Sequence, residues 1–321
     1  MSQNKYAREL EKAVFNWYYC GKDKDITPLF NVIRTGMDND MQLFVPRYET
    51  KQADDAPYDD EPTSENICHV AADEDGNYYI PVFTSAAEAE NGTKLRVERY
   101  PLDMIFEIAE KSSERCKGVA VDPWGRKLLL SRKKIQRIRE FVPRTYIKLV
   151  HGNVVDMHAD ALVNETNSGL VGGGGFDDAI FDAAGPGIRE ACARQRSCDM
   201  GRAKLTGAYD IKYADYIIHA VGPVYCGIKD DAPLLRRCYR QILDLAYRSR
   251  CMSIVIPCIS TGICGYPANE AANEAMRSME RWFYKHPGVV MNIYICSSDD
   301  KALDAYRDLI EKRQDIIRKT K

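Results

Sequence analysis

The stretch NETNSGLVGGGGFDDAIFDAAGPG, residues 164–187, places four consecutive glycines and two adjacent aspartates ahead of a helical pattern. Glycine costs conformational entropy and adds no side-chain packing, so this run indicates that bare backbone approaches a ligand closely. Backbone N–H groups that lead into a helix N-terminus suit an anion such as phosphate. A flexible loop is the alternative, because the run matches neither the dinucleotide fingerprint nor the P-loop. The four glycines are Gly172, Gly173, Gly174 and Gly175.

A second loop of similar character, ISTGICGYP at residues 259–267, follows the apolar strand pattern SIVIPC. It combines hydroxyl groups and glycines, which suit phosphate oxygens. Two such loops together predict a diphosphate held between them. The predicted ligand-binding residues of this loop are Ser260, Thr261, Gly262, Ile263, Cys264, Gly265 and Tyr266.

Two asparagines, Asn164 and Asn167, stand at the end of the strand pattern ADALVNET. An asparagine side chain both donates and accepts hydrogen bonds, so either residue can bind ribose hydroxyls. Capping of a turn is the structural alternative for each asparagine.

From residue 146 onward, strand patterns alternate with helical patterns to the end of the chain. Such alternation predicts an α/β fold with a central, largely parallel or mixed sheet covered by helices on both faces. Ligands bind in this architecture at the carboxyl ends of the strands. Both glycine-bearing loops fall at such ends, which supports a shared binding site.

These motifs resemble the macrodomain family of ADP-ribose-binding α/β/α modules, over residues 146–310. The resemblance rests on residues 152–185, on GRAKLTGAYDIKYADYIIHAVGP at residues 201–223, and on IPCISTGICGYP at residues 256–267. The chain is most similar to the subclass that includes hydrolases releasing ADP-ribose from modified aspartate and glutamate side chains. The resemblance implies a three-layer α/β/α domain with a mixed central sheet.

The resemblance also implies roles for individual residues. The two loops would wrap the diphosphate of ADP-ribose, Asn167 would hold the distal ribose, and Asp177 would face the anomeric carbon. Asn153 would accept from the adenine amino group, and the N–H of Val154 would reach a ring nitrogen. No cofactor or metal is implied beyond the ligand ADP-ribose.

Asp177 is the predicted catalytic group, together with Asn167. Departure of a glycosidic carbon through an oxocarbenium-like state needs a water on its face and a carboxylate to orient or deprotonate that water. A helix N-cap is the equally frequent alternative for Asp177. The neighbouring Asp178 is interpreted as a first-turn charge favoured by the helix dipole.

Four positions depart from the family pattern. Asn153 replaces an aspartate, and Phe181 stands where family hydrolases usually have a histidine. Contact of Phe181 with Asp177 would desolvate the carboxyl group and raise its pKa. Cys264, and either Ser297 or Ser298, occupy places that often carry aromatic side chains, so we expect weaker ADP-ribose binding than in typical relatives. A buried, hydrogen-bonded role is expected for His219.

The first half of the chain resembles the N-terminal domain of the SseB family through residues 73–76, 80–85 and 118–125. This resemblance implies a smaller α+β domain, with a partner protein as its expected ligand. The predicted domains are residues 1–140 and 141–321. The predicted function is ADP-ribose binding with hydrolysis of mono-ADP-ribosyl linkages on acidic side chains. A non-catalytic ADP-ribose reader and a hydrolase of free ADP-ribose derivatives, the 1″-phosphate or O-acetyl forms, remain alternatives.

Composition limits the remaining function classes. The 321 residues are 45% hydrophobic and 29% charged, which is typical of a globular protein. The net charge of −2 gives no electrostatic signature of general nucleic-acid binding. Eleven cysteines without CxxC spacing favour reduced thiols over disulfides or a metal site. The sequence has no signal-peptide or membrane-spanning pattern, so we expect a cytoplasmic protein.

Overall fold

The structure is a computed structural model that describes residues 5–20, 26–47, 67–92 and 96–318. The chain divides into two units, Met1–Pro143 and Arg144–Lys321. The predicted domain boundary after residue 140 stays a prediction. None of the described helices is both long enough and apolar enough to cross a membrane.

The first unit is an α+β domain with two small sheets. One sheet pairs β1 with β4, and the other has the order β2-β3-β5-β6, in which only β3 and β5 are parallel. Apolar side chains of the helices and of both sheets form one hydrophobic core. The elements are α1 (Lys5–Tyr19), α2 (Thr27–Met37), β1 (Gln42–Pro46), β2 (Val70–Ala71), β3 (Tyr78–Val82), α3 (Ala86–Gly92), β4 (Val97–Pro101), α4 (Leu102–Lys111), β5 (Cys116–Val121), β6 (Leu128–Ser131) and α5 (Arg132–Arg139).

The second unit alternates strands and helices, as the sequence pattern predicts. That pattern does not predict α7 or β9, because the short α7 has a weak apolar stripe and the edge strand β9 is only partly apolar. The elements are β7 (Tyr146–His151), a 3₁₀ turn (Val154–Asp156), β8 (Ala161–Glu165), α6 (Phe176–Ala184), α7 (Pro186–Gln195), β9 (Arg202–Gly207), β10 (Tyr216–Val221), α8 (Asp231–Arg248), β11 (Ser253–Pro257), α9 (Ala268–Lys285), β12 (Asn292–Ser297) and α10 (Asp300–Arg318).

The six strands form one mixed sheet with the order β7-β12-β11-β8-β10-β9. Every neighbouring pair is parallel except β10 with β9. All five residues of β11 are buried, as expected for a central strand covered on both faces. Helices α8, α9 and α10 pack together, whereas α6 and α7 pack against β8 and β9, which completes the predicted three-layer α/β/α architecture. The carboxyl ends of the five parallel strands therefore share one edge of the sheet.

Candidate functional site

The predicted site residues follow four neighbouring strands at this edge. Asn153 follows β7, Ser298 follows β12, the second loop follows β11, and Asn164 lies near the end of β8. Strands in a sheet are about 4.8 Å apart, so the row spans about 14 Å. The predicted adenine contacts lie at one end of this row and the predicted ribose contacts at the other. The topology therefore supports an elongated ligand along the sheet edge.

At the predicted adenine end, β7 and β12 remain joined beyond their last paired residues. Gly152 N donates to Ser297 O at 3.0 Å. The Asn153 side chain accepts from Val155 N at 3.4 Å and thereby caps the 3₁₀ turn. Val154 is buried, whereas Asn153 and Ser298 are exposed. The exposed pair provides polar atoms but no aromatic ring at this end.

At the other end, the Asp177 carboxylate is fixed from several sides. Its Oδ1 accepts from Asn164 Nδ2 at 2.6 Å, and its Oδ2 accepts from Thr166 Oγ1 at 2.7 Å. The backbone N–H of Gly173 also donates to this carboxylate. Gly175, rather than Asp177, occupies the N-cap position of α6. The carboxylate therefore joins the first turn of α6 to the end of β8 instead of capping the helix.

Burial determines the basicity of Asp177, whose residue is 4% exposed. Desolvation raises the pKa of Asp177 above its ordinary value, and hydrogen bonds from Asn164 and Thr166 oppose part of that rise. The Phe181 ring, one turn further along α6, is buried at 6.1 Å from the His219 ring, and Arg189 lies over it at 5.1 Å. Desolvation of Asp177 was the expected effect, while its assignment to Phe181 stays a prediction.

Beneath Asp177 lies a buried polar chain centred on His219. Asn164 Nδ2 lies 3.4 Å from His219 Nδ1, and Thr206 Oγ1 lies 2.9 Å from Nε2. Because the Thr206 hydroxyl donates to Gly207 O at 3.1 Å, its oxygen can accept a hydrogen bond from Nε2–H, which leaves Nδ1 as the acceptor for Asn164. Burial lowers the pKa of His219 to about 4. The imidazole is therefore neutral near pH 7 and orients the Asn164 amide.

Both hydrogens of the Asn164 amide are used in this arrangement, on Asp177 and on His219. The residue is fully buried, and within the described chain its Oδ1 has no hydrogen-bond partner. An unpartnered buried acceptor is costly, which makes it a feature to be explained by function. Direct contact of Asn164 with a ligand stays a prediction.

In the first glycine loop, the backbone conformation requires glycine at Gly174 and Gly175. Their φ angles are +91° and +59°, a region that side-chain-bearing residues avoid, and a Cβ added at either position would meet no atom within 4 Å. Asn167 shapes the loop by donating from Nδ2 to Gly172 O at 3.2 Å and accepting from Gly169 N at 3.0 Å. No side chain of the described residues caps the N-terminus of α6. The loop thus presents open backbone ahead of a helix.

The second loop is held by internal bonds. Thr261 Oγ1 donates to Cys258 O at 2.7 Å, and Gly265 N donates to Gly262 O at 2.9 Å. These bonds close a turn that leaves the Ile263 side chain fully exposed. Burial raises the pKa of Cys264, which disfavours a thiolate nucleophile there.

Ser260 begins this loop in a strained conformation, with φ at +67°. It is fully buried, Tyr266 N donates to its carbonyl at 2.8 Å, and its Oγ has no partner among the described residues. Its N–H donates to Glu165 Oε1 at 2.7 Å. Desolvation raises the pKa of Glu165 to about 7, and the nearby Asp177 charge adds to this rise. The Glu165 carboxyl group therefore accepts the hydrogen bond of the Ser260 N–H, which is one of the backbone donors of the predicted phosphate loop.

Sequence reasoning did not find Glu165, Thr166 or Arg189. The first two stand between the asparagines of NETN, and this position at a strand end was the available signal. Arg189 lies on α7 but approaches the first loop, since a Cβ on Gly172 would lie 3.9 Å from its Nη1. This approach depends on how α7 packs, and no local motif indicates it.

Two family models match the chain, one within each of its two units. Residues 163–275 match the Macro domain, and residues 34–137 match the SseB protein N-terminal domain. The chain therefore joins an SseB-like unit to a macrodomain.

Individual proteins and structures extend the similarity. ADP-ribose glycohydrolase MACROD1 of Mus musculus is 40% identical over 164 residues, which are 50% of this chain and 50% of MACROD1. A macro domain-containing protein of Chlorobaculum tepidum is 41% identical over 162 residues, which are 50% of this chain and 93% of that protein. The Oceanobacillus iheyensis macrodomain with MES bound is 28% identical with a TM-score of 0.50, covering 54% of this chain and 94% of that one. The chain spans about half the length of MACROD1.

Proposed function

Since this chain belongs to the macro domain family through its second unit, we propose that it binds ADP-ribose and hydrolyses its ester with acidic side chains of proteins. The observation that carries the proposal is the Asp177 carboxylate, which is buried, raised in pKa and fixed beside an open glycine loop. The relative named ADP-ribose glycohydrolase supports the reaction class.

The ligand would follow the row of strand ends. Adenine would lie by Asn153, Val154 and Ser298, and the diphosphate would lie between the two loops. Arg189 supplies a cation near Gly172 at the mouth of the first loop. The distal ribose would then reach Asn167 and Asp177. Since no aromatic ring follows β12 at Ser298, adenine would bind without a stack there, and we expect weaker affinity than in relatives that have one.

Asp177 would orient a water molecule on the face of the anomeric carbon. The water oxygen forms a bond to this carbon while the bond to the ester oxygen breaks, and the water proton passes to the Asp177 carboxylate. Hydrogen bonds from Asn164 and Thr166 hold the carboxylate in one orientation for this step.

The leaving group explains why the reaction can proceed with Phe181 in place of a histidine. A departing aspartate or glutamate carboxylate has an ordinary pKa of about 4, so it leaves near pH 7 without protonation. A departing arginine would need a proton from an acid. The neutral His219 is buried with its two ring nitrogens engaged and cannot serve as that acid. We therefore propose an ester linkage, because its leaving group needs no acid.

The test is ADP-ribose release from a protein mono-ADP-ribosylated on carboxylates. We expect the intact chain to release ADP-ribose and Asp177→Ala to lose nearly all of this activity. Asp182→Ala is the matched control, because Asp182 is an exposed aspartate on the same helix. ADP-ribose binding without release would contradict the hydrolase and identify a reader. Turnover only of ADP-ribose 1″-phosphate or O-acetyl-ADP-ribose would assign the site to free derivatives.

A further inference from the structure

Helices α8 and α9 enclose a groove of about 560 Å³ that includes none of the proposed site residues. Contacts between the helices define it: Ser278 Oγ donates to Arg236 O at 2.8 Å, and Trp282 Nε1 donates to Asp244 Oδ1 at 2.6 Å. The two contacts lie about two turns apart on α8 and about one turn apart on α9. They hold the two helices together at the groove.

The groove is strongly basic. Two aspartates, Asp230 and Asp244, are its acidic lining residues, whereas the whole chain has 45 basic and 47 acidic side chains. Its six cationic lining residues are Arg236, Arg237, Arg240, Arg277, Arg281 and Lys285. This concentration of charge stands out in a chain with a net charge of −2.

Three of these cations are already engaged by the protein. Arg236 and Arg277 form ion pairs with Glu274, and Arg237 donates to the carbonyls of Met200 and Gly201. These bonds fix the three arginine side chains. Their positive charge is only partly neutralised, because Glu274 supplies one negative charge.

The other three cations have no such partner. Arg240, Arg281 and Lys285 are exposed, and none forms an ion pair with another described residue. Arg281 and Lys285 are one helical turn apart on α9, so their side chains lie on the same face. The unpaired cations thus provide a row of anion contacts with Arg240 on the facing helix.

We propose that this α8–α9 groove binds an acidic segment of a partner polypeptide. An arginine fork pairs with a carboxylate through two parallel hydrogen bonds. A peptide also carries backbone N–H donors, which can satisfy the Asp230 and Asp244 carboxylates within the same groove. The backbone of a nucleic acid has no such N–H donors. Its negative phosphates would be repelled by the carboxylates of Asp230 and Asp244.

The aromatic floor also separates a peptide from a nucleic acid. Trp282 is 3% exposed, and its ring is stacked on His286 at 3.9 Å. Its indole N–H is taken by Asp244. Single-stranded nucleic acids are bound largely by stacking of bases on open aromatic rings, and the buried Trp282 ring is not open to such stacking. The combination of charged walls and a closed floor fits carboxylates better than bases.

The proposal is tested by fluorescence anisotropy with a labelled peptide of about six residues rich in glutamate, about 20 Å long when extended. We expect the full chain to bind this peptide at low ionic strength and to lose affinity as salt is added. The variant Arg240→Glu with Arg281→Glu should bind at least about tenfold more weakly.

The matched control is Arg194→Glu with Lys212→Glu, which makes the same change in net charge at exposed residues outside the groove. Control affinity close to that of the unmodified chain supports the groove. Thermal unfolding and ADP-ribose binding verify that both double variants are folded. Equal losses in the two variants, no peptide binding by the intact chain, or tighter binding of an oligonucleotide of equal charge would each overturn the proposal.

Discussion

Asp122 in the first unit and Asp177 in the second are buried in closely similar ways. Asp122 accepts from Thr84 N at 2.9 Å and from Thr84 Oγ1 at 2.8 Å, and burial raises its pKa to about 7. Asp177 likewise accepts from a backbone N–H and a threonine hydroxyl, here Gly173 and Thr166, and its pKa is also raised by burial. Both carboxyl groups are thus buried, hydrogen-bonded and raised in pKa, and Asp177 accepts one further hydrogen bond, from Asn164.

Their surroundings differ. The Asp122 carbonyl accepts from Gly125 N within a closed turn between β5 and β6. Asp177 lies beside an open glycine loop, and two buried polar atoms at the same sheet edge, Asn164 Oδ1 and Ser260 Oγ, have no partner within the described residues. A buried basic carboxylate is therefore not sufficient to indicate a site. We expect the unpartnered polar atoms at the Asp177 end to be the feature that separates a binding site from a structural bond.

The sharpest test of this difference replaces each aspartate by alanine. Each change leaves buried donors unpaired, so we expect each to lower the free energy of unfolding by about 1–3 kcal/mol. Asp177→Ala should also lower kcat for ADP-ribose release by about 100- to 1000-fold. Asp122→Ala should leave kcat within about twofold. Single-turnover release and thermal unfolding measure both effects. Similar losses of kcat in the two variants would make the distinction between the two carboxylates wrong.

A second pair of substitutions compares two glycines with left-handed backbone, Gly175 and Gly76. Their φ angles are +59° and +79°, and Gly175 has a ψ of −121°, outside the left-handed α region, so alanine at either position costs about 1–3 kcal/mol in strain. Gly175→Ala should weaken ADP-ribose binding about tenfold, because the strained loop no longer presents its N–H groups to the diphosphate. Gly76→Ala should also be destabilising but should keep its affinity for ADP-ribose. Calorimetric titration with ADP-ribose measures the affinity of both variants. An unchanged affinity in Gly175→Ala would mean that this loop does not bind the ligand.

A third pair removes one hydroxyl donor from each carboxylate. Thr166→Val should raise the pKa of Asp177 further, because the lost hydrogen bond stabilised the ionised form. The acid limb of the pH–rate profile should then move to higher pH. Thr84→Val should raise the pKa of Asp122 in the same way without moving the profile. A profile that Thr166→Val leaves unmoved would mean that Asp177 is not the titrating base.

The sequence was sufficient to predict the α/β architecture and the position of the two loops, because strand periodicity and glycine content are local properties. The hydrogen bonds from Asn164 and Thr166 to the Asp177 carboxylate could not be predicted, because they depend on the side-chain rotamers between α6 and β8. The bond from Ser260 to Glu165 joins residues 95 positions apart. The basic groove illustrates the same limit, because the spacing of Arg277, Arg281 and Lys285 is visible in the sequence but the facing row on α8 is not.

The smallest expected effects concern pH, and they compare Asp122 with Glu165, whose pKa values are both raised to about 7. Each group has an unfolded pKa near 4, so the folded state binds more protons between about pH 4 and 7. Their contribution to stability is therefore complete below about pH 4 and is lost as pH rises through 7. Asp122→Asn and Glu165→Gln should each flatten this decline, as urea unfolding at several pH values would measure.

Only the Glu165 carboxyl lies at the predicted phosphate loop, so only its ionisation should affect the ligand. Above pH 7 its negative charge opposes the diphosphate, and we expect ADP-ribose affinity to fall about threefold between pH 6 and 8. Glu165→Gln should abolish this dependence, whereas Asp122→Asn should keep it. Because the pKa of Asp177 is also raised, Asp177→Asn is titrated alongside. If that variant, rather than Glu165→Gln, abolishes the dependence, the charge that opposes the diphosphate belongs to Asp177, and Glu165 only supports the loop.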